Sequence, residues 1–282
     1  MTLLLDTPAA AVVRGDWRTS LALVTARGGC DLLCVDAPYS ERTHAGHDDG
    51  IAQVNRVRDW AGRQPSGRRA DGTSFGGQVA RVAEHGGERR ALSYPAWNED
   101  DVYDFVTAWV PVTRGWIVSL TDHMLAPVWE AALLREGRYV FAPLACVEPG
   151  SRVRFTGDGP SNWTTWAVVA RPSTAPFAKW GTLPGAYVVP AGHGDTRTGR
   201  REEDLRVVGG KPLWLMSSLC RDYSRKGDLV CDPCAGAGTT GVAARTLGRR
   251  FIGGDVLAEH AALAARNVGA AREQLALWGD GT

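Results

Sequence analysis

The stretch Asp31-Leu32-Leu33-Cys34-Val35-Asp36-Ala37-Pro38-Tyr39 decides how the chain is read. Its apolar run has the length and β-friendly composition of a buried strand, and it stops at an acid, a proline and an aromatic. A site therefore sits at the strand's carboxyl end. An acceptor carboxylate, a main-chain carbonyl before a φ-locked proline and an aromatic face are offered there within four residues. That set suits a planar amine. Asp36 and the Ala37 carbonyl can each accept a hydrogen bond from an exocyclic NH2, while the Tyr39 ring stacks on the heterocycle that carries it.

A second buried strand, Asp228-Leu229-Val230-Cys231-Asp232, runs into Asp232-Pro233-Cys234-Ala235-Gly236-Ala237-Gly238-Thr239-Thr240-Gly241. Glycines let backbone approach a ligand closely, and a helix beginning near Thr239 aims its free N–H groups at that ligand. Arg250 to Asp255 forms a further strand ending in an acid, 19 residues after Gly236, placed to bind a ribose diol. Gly236-x-Gly238-x-x-Gly241 satisfies the dinucleotide fingerprint, so the loop alone permits NAD. Against this, Asp232 closes the strand with a carboxylate that would repel a pyrophosphate. One helix upstream, Lys211-Pro212-Leu213-Trp214-Leu215-Met216 opens a helix with proline in its first turn.

Together, Asp36-Ala37-Pro38-Tyr39, Lys211-Pro212 and the 232–240 loop resemble three motifs of the β group of amino-group DNA methyltransferases. These are Asp-Pro-Pro-Tyr, a lysine-proline pair, and Asp-Pro-Phe-x-Gly-Ser-Gly-Thr-Thr, in that order. Here Ala37 stands for a proline, Cys234 for an aromatic and Ala237 for a serine. Ala37 keeps the main-chain carbonyl and loses only stiffness. The resemblance covers about 31 to 40, 211 to 224 and 228 to 257. It implies an α/β fold with a doubly wound, mostly parallel, Rossmann-like sheet, circularly permuted so that the catalytic half precedes the cofactor half. It implies S-adenosylmethionine as cofactor, with Asp232, Pro233, Cys234, Gly236, Gly238, Thr239, Thr240, Asp255 and Lys211 around it and Asp16 near its adenine. The Asp232 carboxylate suits the cationic amino-acid end of that cofactor. Asp36, Ala37, Pro38 and Tyr39 would be the catalytic residues. The implied reaction is direct methyl transfer to adenine N6 in double-stranded DNA, on a base turned out of the duplex. Three alternatives stay open: cytosine N4; an inactive DNA-binding subunit, suggested by Ala37 and Cys234; and a nicotinamide oxidoreductase, suggested only by the glycine fingerprint.

The 282 residues suffice for one large α/β domain with an embellishment. A formal charge of +1 gives no global basic field, so nucleic-acid contact must come from local patches. Basicity is almost wholly arginine, with Lys179, Lys211 and Lys226 the only lysines. The six cysteines are scattered through apolar stretches and read as reduced thiols of a cytoplasmic protein. Leu3-Leu4-Leu5 lacks a basic flank and is not expected to be a signal peptide; no stretch reaches membrane-spanning length. His44-x-x-His47 reads as loop polarity, with no metal expected.

Elsewhere, residues 9 to 15 read as a strand and 17 to 27 as a short helix. The aperiodic, arginine-bearing region 41–96 reads as an insertion loop or lobe, either solvated or contacting DNA. Asn98 to Asp101 caps a helix with Val102, Phe105, Val106 and Trp109 on one face. Strands are expected at 115 to 120, 139 to 147 and 164 to 170, and a helix from about 123 to 136. Trp163 or Trp166 would serve either a base pocket or the core. Residues 172–210 read as a linker or a small target-recognition region, and the final helix is expected from Leu257 to about Trp278. A second copy of the chain is a candidate partner.

Overall fold

The computed structural model describes residues 2–45, 94–150, 160–174, 180–190 and 210–273, together with a two-residue antiparallel pairing of Gly67–Arg68 with Ser74–Phe75. The insertion 41–96 and the region 172–210 thus lie largely outside the described residues, as do His47, Leu275 and Trp278.

Ten strands form one sheet. In chain order they are β1 (Thr2–Asp6), β2 (Ala10–Arg14), β3 (Cys30–Asp36), β4 (Thr113–Thr121), β5 (Arg138–Val140), β6 (Leu144–Val147), β7 (Thr164–Pro172), β8 (Ala186–Val188), β9 (Leu229–Asp232) and β10 (Arg250–Asp255). Their order across the sheet is β1-β2-β10-β9-β3-β4-β7-β6-β8, with β5 also on β7. The five central strands, β2 to β4 in this order, are all parallel. The rims are antiparallel where β1 meets β2 and where β7 meets β4, β5 and β6. The fold is therefore α/β, as the sequence implied, with a mixed rim.

Alternation along β3 explains how the sheet is covered. Leu32 and Cys34 point into one core with Leu215, Leu219 and Cys220 of α4 (Leu213–Tyr223), Ala243 and Ala244 of α5 (Thr239–Thr246), and Ala264 and Val268 of α6 (Ala258–Ala270). Leu33 and Val35 point into the other, with Val24 of α1 (Trp17–Ala26), Phe105 and Trp109 of α2 (Glu99–Trp109), and Trp129 and Leu133 of α3 (Ala126–Arg135). A strand buried on both faces reads as an unbroken apolar run, which is why 31 to 35 stood out. The α2 start carries the expected cap, closed as a capping box, with the Asp101 N–H on Asn98 at 3.1 Å and the Asn98 N–H on Asp101 at 2.9 Å.

Four elements differ from, or add to, the sequence expectation. The strand expected at 139 to 147 is two strands, because Pro143 has no N–H to give the ladder; both pieces still pair with β7. Leu3 to Leu5 is an edge strand. Within 172–210, Ala186–Val188 is a strand parallel to β6, too short for a periodicity signal. The last helix stops at Ala270, where Ala271 turns extended at φ −63°, ψ 136°.

Gly238 shows how tightly the second half is packed. Its φ is +84°, and an added Cβ would lie 2.9 Å from Ala264 Cα. Gly227 has a similar φ of +87° but open space around it. Gly238→Ala is expected to cost about 2–3 kcal/mol, steric overlap adding to backbone strain, and Gly227→Ala only about 1 kcal/mol. Urea unfolding checks this; equal losses would show that packing against α6 is not what fixes Gly238.

Candidate active site

β9 and β3 are parallel neighbours, with Val230 opposite Leu32 and Cys231 opposite Leu33. From β9 the chain crosses to β10 on one side, and from β3 to β4 on the other. Their carboxyl ends thus flank the crevice where the strand order reverses, the ordinary ligand position in such sheets. A cavity of about 320 Å³ lies there, lined by Asp36 and Pro38 from the end of β3, Asp232 to Ala237 from the loop after β9, and Asp255 from the end of β10. Asp16, Thr239, Thr240 and Lys211 line it as well. The two motifs, nearly 200 residues apart in the chain, open onto one space.

Each acid in this space is held differently. Asp232 is 1% exposed; its Oδ2 accepts from the Thr240 hydroxyl at 2.5 Å and its Oδ1 from the Cys234 N–H at 3.0 Å. Burial pushes its carboxyl up to about 7, against the pull of those two donors. Asp255 accepts from the Gly236 N–H at 2.9 Å and the Leu257 N–H at 2.9 Å, and His260 Nδ1 lies 3.7 Å from it. The Asp255 carboxylate beside it raises His260 above the usual imidazole value. Asp16, which also lines the cavity, caps α1 through the Thr19 N–H.

Asp36 is engaged at both oxygens. The Tyr39 hydroxyl donates to Oδ1 at 3.2 Å, and the Lys211 ammonium sits 2.7 Å from Oδ2. That ammonium also stands 4.9 Å from the Tyr39 ring centroid. Burial pulls Lys211 down, but the Asp36 charge and Tyr39 outweigh it and hold the lysine above its ordinary value. Burial likewise raises Tyr39, with the Asp36 charge adding to it. The segment after Tyr39 is pinned by Asp122, just past β4. Its Oδ2 accepts from the Ser40 N–H at 2.9 Å and from the Ser40 and Thr43 hydroxyls at 2.5 Å each, and its Oδ1 from the Met124 and Leu125 N–H groups at 3.0 Å. Burial works to raise this carboxyl, but these donors hold it below the usual range.

Some expectations are redirected. Ala37 and Tyr39 are buried beside the cavity and do not line it. Lys211, expected around the cofactor, lines the cavity with its charge on Asp36. Gly238 packs against α6 and leaves ligand approach to Gly236, which has φ +52°. Trp163 is exposed and Trp166 packs in the core, so neither lines the cavity. Tyr94, Trp97, Trp17 and His260 do line it and were missed. Tyr94 ends an aperiodic stretch; His260, five residues after Asp255, was the one with a sequence signal. Among the described residues no group of three or more His, Cys, Asp or Glu could hold a metal ion, and no helix is long and apolar enough to cross a membrane.

The comparisons point one way. A family model described as DNA methylase matches residues 197–266. The type II methyltransferase M2.DpnII of Streptococcus pneumoniae is 41% identical over 63 residues, 22% of this chain and 24% of that protein. The type II methyltransferase M1.MboII of Moraxella bovis is 46% identical over 56 residues, 20% and 22% of the two chains. Over residues 197–266, the cofactor-loop half, the chain is thus similar to DNA methylases. The matched stretches span only about a quarter of these relatives' lengths. The fold likeness is wider. The M1.HpyAVI–SAM complex superposes with a TM-score of 0.59 over 92% of this chain and 98% of that one, at 15% identity. The cytosine-N4-specific PvuII DNA methyltransferase gives 0.56 over 94% and 88%, at 12% identity.

Asp232 yields a pH test of this methylase-like site. Its folded carboxyl titrates near 7 while the unfolded one titrates near the ordinary 3.8, so the unfolded chain loses its proton first. Its contribution to stability therefore falls as pH rises from about 4 to 7 and levels off above. Asp232→Asn keeps the Cys234 and Thr240 contacts without that proton. Its stability relative to the wild type should rise between about pH 4 and 7 and level off above, by urea midpoints. A constant difference across pH would contradict the account.

Proposed function

We propose that the chain transfers a methyl group from S-adenosylmethionine to an exocyclic base amine in double-stranded DNA, adenine N6 by first choice and cytosine N4 as the alternative. The observation that carries this is the shared cavity: Asp36 and Pro38 on one wall, Asp232, Gly236 and Asp255 on the other. The residues fit a cationic nucleoside. Asp255 would take the ribose hydroxyls, Asp232 the amino-acid end, and Asp16 the adenine side. A dinucleotide would set its pyrophosphate against Asp232, which argues for a cation. Strand order supports a circular permutation: the glycine-loop strand β9 is central in the sheet but next to last in the chain.

When bound, the cofactor supplies an electrophilic methyl on a sulfonium. The rest of the chemistry belongs to the chain. Turning a base out of the duplex costs a few kcal/mol, and stacking on Tyr39 would recover part of it once the Lys211 ammonium beside that ring has moved away. An amine lone pair conjugated into a base is a poor nucleophile. Acceptors at Asp36 Oδ and the Ala37 carbonyl favour the pyramidal nitrogen and stabilise the positive charge that develops there. Asp36 then stands ready to take the amine proton and pass it to water. Asp122, by fixing Ser40 and Thr43, keeps these acceptors in place.

Labelled methyl transfer to duplex DNA, followed by nucleoside mass spectrometry, tests the proposal. It should yield 6-methyladenine; 4-methylcytosine alone would reassign the base, and no incorporation would remove the enzymatic reading. Asp36→Asn should lower turnover at least a hundredfold with cofactor affinity nearly unchanged, whereas Asp232→Ala should weaken the cofactor. Wild-type turnover in Asp36→Asn would refute the role given to that carboxylate.

A further inference from the structure

We infer that the Lys211 ammonium is an internal occupant of the amine-acceptor site, which a target base must displace, so that Lys211 sets which amines are admitted. This rests on reading Asp36 and Tyr39 as acceptor and stacking face. The lysine makes the two contacts assigned to the target: its Nζ is 2.7 Å from Asp36 Oδ2 and 4.9 Å from the Tyr39 ring centroid. With the Tyr39 hydroxyl on Oδ1, both oxygens of Asp36 are engaged by the chain itself. Tyr39 is buried, only 9% exposed, so a heterocycle reaches its ring only by displacing what now covers it. Stacking of a base on Tyr39 and residence of the ammonium there exclude each other.

Two physical arguments make displacement obligatory. A charged ammonium is a stronger partner for a carboxylate than the neutral amine of a base, so a free nucleoside loses the competition. A base drawn in by duplex contacts elsewhere can win it. Transfer also develops positive charge on the acceptor nitrogen, and an ammonium left on the same carboxylate would oppose that charge at short range. The backbone permits departure. Lys211 precedes α4, with Pro212 extended at φ −57°, ψ 136°, so the side chain can swing without unwinding a helix turn. Asp232 and Asp255 line the same cavity and offer the displaced charge a new partner.

The test is nucleoside affinity, measured by calorimetry on the chain saturated with S-adenosylhomocysteine. Lys211→Met should bind cytidine and adenosine at least tenfold more tightly than the wild type, and uridine and inosine, which lack the amine, no better than it does. Lys211→Arg, which keeps the cation, should behave as wild type. If Lys211→Met fails to fold by circular dichroism, Lys211→Gln is read the same way. Unchanged or weaker binding of the amino nucleosides overturns the inference. So does a variant that loses methyl transfer at wild-type nucleoside affinity, which would place Lys211 in the transfer step itself. Because binding is read without turnover, a wild-type chain that transfers no methyl group counts against the proposed function and leaves these affinities to decide about Lys211.

Discussion

The parallel pairing of β9 with β3 is the constraint on which the rest depends. Hydrogen bonding sets parallel neighbours about 5 Å apart, and parallel direction puts both carboxyl ends on one edge. The connections leave these two strands in opposite directions, which opens a crevice between their carboxyl ends. Asp232 and Asp36 end adjacent strands at that crevice. What lies far apart along the chain becomes one surface because two apolar runs, buried on both faces, have few other places to go.

That placement has an electrostatic cost, and the surroundings show how it is met. Asp16, Asp36, Asp232 and Asp255 share one cavity. Asp36 is paired with Lys211, Asp255 is held by two backbone N–H groups and His260, and Asp232 is pushed towards its protonated form. Asp16, nearest solvent, caps a helix. Arriving positive charge would relieve this crowding, and the proposed chemistry brings positive charge on both the cofactor and the methylated nitrogen. The same argument disfavours a pyrophosphate more firmly than the glycine spacing favours one.

Much of this was legible in the sequence, for identifiable reasons. Unbroken apolar runs ended by acids marked β3, β9 and β10, and Asn98 to Asp101 announced α2 through its cap. The edges were harder. β1 and β8 are short, with little burial to impose a pattern, and Pro143 split a run that composition alone joins. At the site, motif spacing found the acids but not their partners. Nothing local to Lys211 says that its charge lands on Asp36, 175 residues away, and nothing around Gly238 says that it answers to Ala264. Tyr94 and Trp97 come from the end of an aperiodic stretch, where periodicity offers no guide.

A crystal structure of the chain with S-adenosylhomocysteine tests the central claim most directly. The ribose should lie against Asp255, the amino-acid end at Asp232, and the sulfur should face Asp36 across the cavity. A ligand bound outside the space between the ends of β3 and β9, or with its sulfur turned away from Asp36, would contradict it.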